Sequence, residues 1–447
     1  MTNYKISFFK SEPTSLAEEI KQKKFLDSAM GRFMIKFSDS FDLSSEYENS
    51  NIKRKTLRIR IKKKRQLRKG ETVTTIPEPL IQTEAIIIHW QKVLPDKWSP
   101  STRQQSTLTA NCGTLYLIGG ISRTISQDVH TYNIVTKEWS KLQTPSPLEA
   151  RFGHTALLHN NSILIFGGGT YFNTTHKLRE CLNGVRKLNL LTNQWTYLKT
   201  SGTFIQSRKG HICCIIGKDL FISGGQNEKQ HILNDSLILD LQKLSWSFLE
   251  ILNSGPLARA HHSACSIGSG NQSLSIYKTQ GKWGIVVFGG IDSKKRPMND
   301  LIHIVPGTRP VQCNVLEPSG RPPCPRFMHS MVICSNSQYL IVFGGRVDLN
   351  EKKDYTCFND VHLLHIHQMT WVNVKVTGSV PCERSGHAAE IAGSEMFIFG
   401  GVSTTSYCPS EIFKLQISSP FNPNSQRQGR SSYFRHKSVS ESIQLSL

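Results

Sequence analysis

From residue 85 onward, short apolar runs recur between longer polar stretches at intervals of about 50 residues. Leu115 to Ile118, Ile163 to Phe166, Leu220 to Ser223, Ile285 to Phe288, Leu340 to Phe343 and Met396 to Phe399 are six such runs. Each ends on a glycine pair: Gly119-Gly120, Gly167-Gly168, Gly224-Gly225, Gly289-Gly290, Gly344-Gly345 and Gly400-Gly401. Runs of four residues closed by glycine are too short for helices and predict buried strands. A polar loop follows each pair, closed in three units by Asn-Asp (Asn234-Asp235, Asn299-Asp300, Asn359-Asp360), and then a further strand-like segment. In four units a tryptophan stands seven residues after an apolar or aromatic position: Trp139 after Tyr132, Trp195 after Leu188, Trp246 after Leu239 and Trp371 after Leu364. Unit four has Val311 at that place, and unit six has Asn422 in a Pro/Ser-rich tail.

An arginine precedes every run. Arg103, Arg151, Arg208 and Arg384 lie 16 residues before the first glycine, Arg326 lies 18 before and Arg259 30 before. Three residues after the arginine comes His154, His211, His262, His329 or His387, with Ser106 in the first unit. A unit of four short strands cannot bury both faces of its sheet alone, so the copies must stack. Arg151-Phe152-Gly153-His154, Arg208-Lys209-Gly210-His211 and Arg384-Ser385-Gly386-His387, with the glycine pairs and the spaced tryptophans, resemble the kelch repeat family. The resemblance spans about 335 residues and implies an all-β fold: a six-bladed kelch-type β-propeller of four-stranded antiparallel blades. The last unit lacks a tryptophan strand, while an orphan strand with Trp90, Ala85 to Val93, precedes the first. Pairing the two closes the ring and removes an exposed sheet edge. The propeller is therefore expected over 85–419, with 1–84 as a basic N-terminal arm and 420–447 as a disordered Ser/Arg-containing tail.

Recurrence in every unit marks the glycine pairs, arginines, histidines and tryptophans as structural. The glycines are expected where a Cβ would block packing, and Trp90, Trp139, Trp195, Trp246 and Trp371 between blades. The arginines and histidines are expected to hydrogen-bond loops across blades. Function is sought where the units differ. Antiparallel alternation puts the loop after strand two on the same face as the connection to the next blade. From the second glycine to the aligned apolar position these loops span 12, 20, 14, 14, 19 and 14 residues. Three carry basic clusters: His176, Lys177 and Arg179; Lys294, Lys295 and Arg296; Arg346, Lys352 and Lys353. These nine residues are the candidate partner-binding set, diluted by the neighbouring acids Glu180, Asp292, Asp348, Glu351 and Asp354. An insertion in unit four, Gly268 to Gly284, is expected on the opposite face.

The charge of +21 divides by region into +7 for residues 1–84, +11 for 85–419 and +3 for 420–447. Within the arm, Lys53 to Lys69 holds 11 basic residues in 17 positions, among them Lys53, Arg54, Lys55, Lys62, Lys63, Lys64 and Arg65, with no acid. This run has three readings: a nuclear import signal or nucleic-acid arm, a contact for an acidic membrane surface, or a solvated linker. Ser15 and Glu18 have capping-box spacing ahead of a one-sided apolar pattern, which predicts an amphipathic helix over 15–34. Thr72 to Gln82 reads as a linker. The 11 cysteines contain no C-x-x-C pair and fit a reducing compartment, cytoplasmic or nuclear. No run approaches the roughly 18 apolar residues of a transmembrane segment, and no secretory signal pattern is found at the N-terminus.

No phosphate-cradling, dinucleotide, nucleophile-elbow or zinc-protease motif occurs, so no cofactor or catalytic residue is assigned. Of His362, His365 and His367, only the last two share a strand face, short of a metal-ligand set. The kelch resemblance leaves two rivals: a copper radical oxidase, whose tyrosine–cysteine cross-link and histidine ligands have no counterpart here, and a ubiquitin-ligase substrate receptor. The leading expectation is a non-enzymatic intracellular scaffold or adaptor that binds a protein partner, acidic by charge complementarity, through its propeller loops. A nuclear, nucleic-acid-associated protein using the polybasic arm is the alternative.

Overall fold

The apolar runs become the second strand of six antiparallel sheets, buried on both faces because each blade is packed between two others. A computed structural model describes residues 85–418 except 96, 176–177, 253–257, 268–283, 306–309 and 349–353, together with 6–7 and 56–57. The chain divides into two units, Met1–Gln82 and Thr83–Leu447. In the first, Ile6–Ser7 pairs antiparallel with Thr56–Leu57. The expected helix at 15–34, the polybasic run apart from Thr56–Leu57, the linker, the unit-four insertion up to 283 and the tail beyond 418 lie outside the described residues.

Blade one shows the plan: Thr107–Asn111, Thr114–Ile118, Val129–Asn133 and Glu138–Lys141 run antiparallel from the axis outward. The first strands of neighbouring blades line the axis. Blade six takes Ala388–Ala392, Glu395–Phe399 and Ile412–Ser418 from the end of the repeat, and Ile86–Val93 from before its start. Trp90 pairs with Leu415 in that register and is fully buried, 4.9 Å from the Phe343 ring of blade five. Ring closure by the orphan strand is thus the observed topology. It removes two free edges that would otherwise pair with other chains.

Two features depart from four plain strands. The long loops of blades two and five fold into antiparallel ribbons, Gly169–Asn173 with Leu178–Cys181 and Arg346–Asp348 with Tyr355–Cys357. Three blades also gain a parallel fifth strand from the preceding blade: Ser201–Gly202 beside Ser245–Trp246, Ser319–Gly320 beside Thr370–Trp371, and Val374–Gly378 beside Ile86–Trp90. The Ser-Gly or Thr-Gly dipeptide behind the fourth strand is their signal, since the glycine backbone lies against a tryptophan carbonyl.

Two closed circuits of main-chain hydrogen bonds join the blades. In the first, residues two after each arginine bond head to tail around the axis. Gln105 N–H donates to Gly386, Gly153 to Gln105, Gly210 to Gly153, His261 to Gly210, Met328 to His261 and Gly386 to Met328, at 2.6–2.9 Å. All six have positive φ, from +55° to +64°. That left-handed backbone explains the glycine of Arg-x-Gly-His. In the second circuit the N–H of each second glycine donates to the carbonyl of the next blade's arginine, from Gly120 to Arg151 round to Gly401 to Arg103, at 2.8–2.9 Å.

The arginine side chains do not cross blades as expected. Each turns back into its own blade and donates to the carbonyl of the first glycine, at 2.8–3.2 Å. Arg103, Arg208, Arg259 and Arg326 also bond Asp128, Asp235, Asp300 and Asp360, which stand immediately before strand three. The geometry forces this: the arginine carbonyl is already committed to the preceding blade, so its side chain closes its own loop. Burial opposes ionisation of Asp128, but hydrogen bonds from His130 and Arg103 outweigh it and hold the carboxyl well below its usual range. Blade two has Gly184 before its third strand, and Glu149 pairs with Arg151 instead.

The histidines do cross between blades, but to a strand hydroxyl instead of a loop. His154, His211, His329 and His387 meet Thr107, Thr155, Ser263 and Ser330 of the preceding blade at 2.6–3.0 Å. His262 faces Ile212 at the same place, and neither of its ring nitrogens has a partner. At the sixth joint both members are absent together, as Ser106 and Ala388. The tryptophans fill the same joints: Trp139, Trp246 and Trp371 lie 5.3–5.7 Å from Phe399, Phe166 and Phe288, while Trp195 packs in a cluster with Ile118.

Burial in apolar joints disfavours the imidazolium. It lowers the pKa of all five joint histidines, with the adjacent arginine adding to the effect, and brings His154 and His329 down to about 3. A pKa depressed by folding gives stability that is complete above the unfolded value of about 6.5 and lost as pH falls below it. Burial raises Glu390, on the first strand of blade six, to about 7. Its contribution runs the other way, declining as pH rises from about 4.5, and it offsets one histidine of five. Each histidine adds a slope approaching ~1.4 kcal/mol per pH unit. The Tm should therefore fall steeply from pH 7 to 5.5; a flat profile in differential scanning calorimetry contradicts the neutral joints. Trp90→Ala should cost about 3–5 kcal/mol in urea unfolding. A cost typical of a surface change, below about 0.5 kcal/mol, would remove the closing strand from the fold.

Candidate functional site

The second residue of each Arg-x-Gly-His element lies beside the axis, paired with the residue after the glycine pair: Gln104 with Ile121, Phe152 with Gly169, Lys209 with Gln226, Ala260 with Ile291, Phe327 with Arg346, and Ser385 with Val402. This position varies while its neighbours recur, and it opens on the face that carries the loops after strand two. The axial opening beneath is narrow. A Cβ on Gly210 would stand 2.8 Å from the His261 ring, and one on Gly153 3.0 Å from Gln105 Oε1.

Cations and aromatic rings alternate around the two thirds of this mouth formed by blades two to five. Arg179, on the blade-two ribbon, and Lys209 stand 5.7 and 5.2 Å from the centre of the Phe152 ring. His261 lies 6.4 Å from Phe327. Arg346 stands 4.9 Å from the Phe327 ring and 4.6 Å from the Tyr355 ring, with Asp348 at 3.5 Å from its Nε. Such contacts hold a cation in place without neutralising it. Burial first, then the Lys209 and Arg346 charges, push His261 down to about 3. Burial and the Arg179 charge lower Lys209. Tyr171 and Phe172 project from the blade-two ribbon, 61% and 53% exposed. The axis-lining pairs of blades six and one, Gln104 with Ile121 and Ser385 with Val402, carry no charge.

Of the nine expected partner-binding residues, the structure brings Arg179 and Arg346 to this mouth. Lys294, Lys295 and Arg296 sit on the exposed blade-four loop, where Arg296 is bound by Asp292 at 2.6 Å and adds little free charge. His176, Lys177, Lys352 and Lys353 lie outside the described residues. Sequence reasoning missed Lys209, Phe152, Phe327, Tyr355 and His261. The variable second position of the repeated element was the available signal for the first three. His362 bonds Asp360 at 2.8 Å, and His365 meets Tyr339 edge to face at 5.1 Å. Among the described residues no group of three His, Cys, Asp or Glu is placed to hold a metal ion, and no helix is long and apolar enough to cross a membrane.

Comparison with known proteins agrees with this architecture. The family model described as KLHDC2/KLHL20/DRC7 Kelch-repeats domain matches residues 105–280 and 272–431. Kelch domain-containing protein 3 of Homo sapiens is 27% identical over 306 residues, covering 64% of this chain and 73% of that protein. Acyl-CoA-binding domain-containing protein 5 of Arabidopsis thaliana is 27% identical over 60% of this chain and 38% of its own length. Host cell factor of Drosophila melanogaster is 26% identical over 74% of this chain, which spans only 23% of that protein. A solved structure of YjhT superimposes with a TM-score of 0.55 at 15% identity, covering 72% of this chain and 99% of that one, a likeness of fold alone. With the family model covering most of the propeller, the chain belongs to the Kelch-repeats family.

Proposed function

We propose that this protein is a non-enzymatic adaptor whose propeller binds an acidic segment of a protein partner at the axial mouth of the loop face. The observation that carries the reading is the half-ring of Arg179, Lys209 and Arg346 seated on Phe152, Phe327 and Tyr355. Cations held on aromatic faces are pre-positioned, so little side-chain entropy is lost when a carboxylate-bearing chain docks. Exposed Tyr171 and Phe172 add apolar contact at the rim, where aromatic residues concentrate binding energy. The uncharged axis-lining pairs of blades six and one make the mouth asymmetric, so a bound segment has a preferred direction. Intracellular adaptor work agrees with a family of repeat propellers that act as protein-binding modules. The nucleic-acid reading rests on the basic residues of 53–69, which lie outside the described part of the chain.

Affinity capture with the full chain, read by quantitative mass spectrometry, tests this against charge reversal. Arg179→Glu with Lys209→Glu should weaken capture of acidic partners by about tenfold or more, roughly 1.4 kcal/mol. Lys243→Glu, on a strand-three to strand-four turn of the opposite face, should leave capture unchanged. Equal capture by both folded variants would refute the site.

A further inference from the structure

Blade six handles its buried arginine differently from four of the other blades. The place taken by Asp128, Asp235, Asp300 and Asp360 is occupied by Glu411, whose carboxylate turns to Lys92 of the closing strand at 2.6 Å. Arg384 is 1% exposed and makes no carboxylate contact among the described residues. Its Nη1 donates to Gly400, its Nε to the carbonyl of Cys382, and its Nη2 to the Cys382 sulfur at 3.3 Å. The Cys382 side chain is exposed at the entry to blade six. Its sulfur lies 3.7 Å from that of Cys408, which is 1% exposed in the loop after the blade-six glycine pair. Cys408 is held there by its N–H to Gly401 at 3.1 Å and by the Thr102 hydroxyl on its carbonyl.

We propose that Cys382 and Cys408 are a reversible oxidation site, with Cys382 the sulfur that meets a peroxide and Cys408 the thiol that resolves it. Access selects the order. Cys382 is open to solvent and receives a hydrogen bond from a buried cation, the setting in which a cysteine sulfur is reactive. Burial pushes the Cys408 thiol up to about 12, so it stays protonated and waits. In the first step the Cys382 sulfur attacks one oxygen of hydrogen peroxide. The O–O bond breaks, the sulfur becomes sulfenic acid, and one water leaves. In the second step the Cys408 sulfur attacks the sulfenic sulfur, and its proton departs with the hydroxyl as a second water. Two thiols and one peroxide thus give one disulfide and two waters. The sulfurs are already at van der Waals contact, 3.7 Å apart. The product ties the entry of blade six to its own loop, in the blade where the two ends of the propeller meet. It also takes the sulfur from Arg384, which keeps its two carbonyls and its place 5.3 Å from the Phe413 ring. Cys357 is the competing thiol, and its sulfur is engaged by the Val402 carbonyl at 3.4 Å and the Ser385 hydroxyl at 3.5 Å.

The test is peptide mapping of the full chain after graded hydrogen peroxide, with Cys112 and Cys324 as exposed internal controls. The expected product is a Cys382–Cys408 cross-linked peptide pair, two hydrogens lighter than the separate peptides. It should form at peroxide levels that leave Cys112 and Cys324 open to alkylation, and dithiothreitol should reverse it. In Cys408→Ser, Cys382 should stop at sulfenic acid and be trapped by dimedone. Alkylation of Cys382 as readily as Cys324 throughout, or cross-linking of Cys382 to Cys357, would overturn the assignment, and both are read on the unmutated chain.

Discussion

Six amide hydrogens donating in sequence around one axis are the constraint on which the molecule depends. Each bond of the circuit from Gln105 to Gly386 requires left-handed backbone at its residue and a neighbour on both sides. No blade can satisfy this alone. The second circuit, from each glycine pair to the next arginine carbonyl, runs in the opposite direction at the same joints. Main-chain groups buried without partners cost as much as the hydrogen bonds they lose. The ring is therefore either complete or strained throughout, and closure by the Trp90 strand is part of the same requirement.

The joints show how substitutions are linked across blades. Where a histidine is present, the preceding blade presents Thr107, Thr155, Ser263 or Ser330, and where Ser106 replaces it that blade presents Ala388. A buried polar atom without a partner is the costly case, and it persists at both ring nitrogens of His262 and at the Ser106 hydroxyl. The register puts Cys313, opposite Ile304, where the other five blades place a tryptophan, two residues beyond the Val311 that spacing alone indicates, and that joint is filled by Phe221, Ile285 and Ile302.

Much of this fold was legible because strand periodicity, glycine pairs and arginines recur six times, and recurrence exposes what a single copy hides. The closing strand was legible from what the last unit lacked. The ribbons of blades two and five were not, since Gly169–Asn173 and Leu178–Cys181 owe their pairing to loop length and to the sheet edge beneath. The destination of the arginine side chains was hidden for a different reason. Spacing places Arg208 near both its own loop and the next blade, and only the commitment of its carbonyl decides between them. At the mouth, counting basic residues found Arg179 and Arg346 but credited Arg296, whose charge is spent on Asp292. Lys209 escaped because it lies inside a repeated element that reads as structural.

Function follows from the same division. The circuits fix the first and third residues of each element, the arginine carbonyl and the left-handed position, and that leaves the second residue between them free to vary at a rigid mouth. Phe152, Lys209 and Phe327 occupy such places, and they are held more firmly than loop residues would be. The most direct test of the central claim is native-state hydrogen exchange at the amides of Gln105, Gly153, Gly210, His261, Met328 and Gly386. The account predicts that all six exchange only through global unfolding, with one common free energy. Exchange of any one through local opening, while the others stay protected, would contradict a closed and cooperative ring.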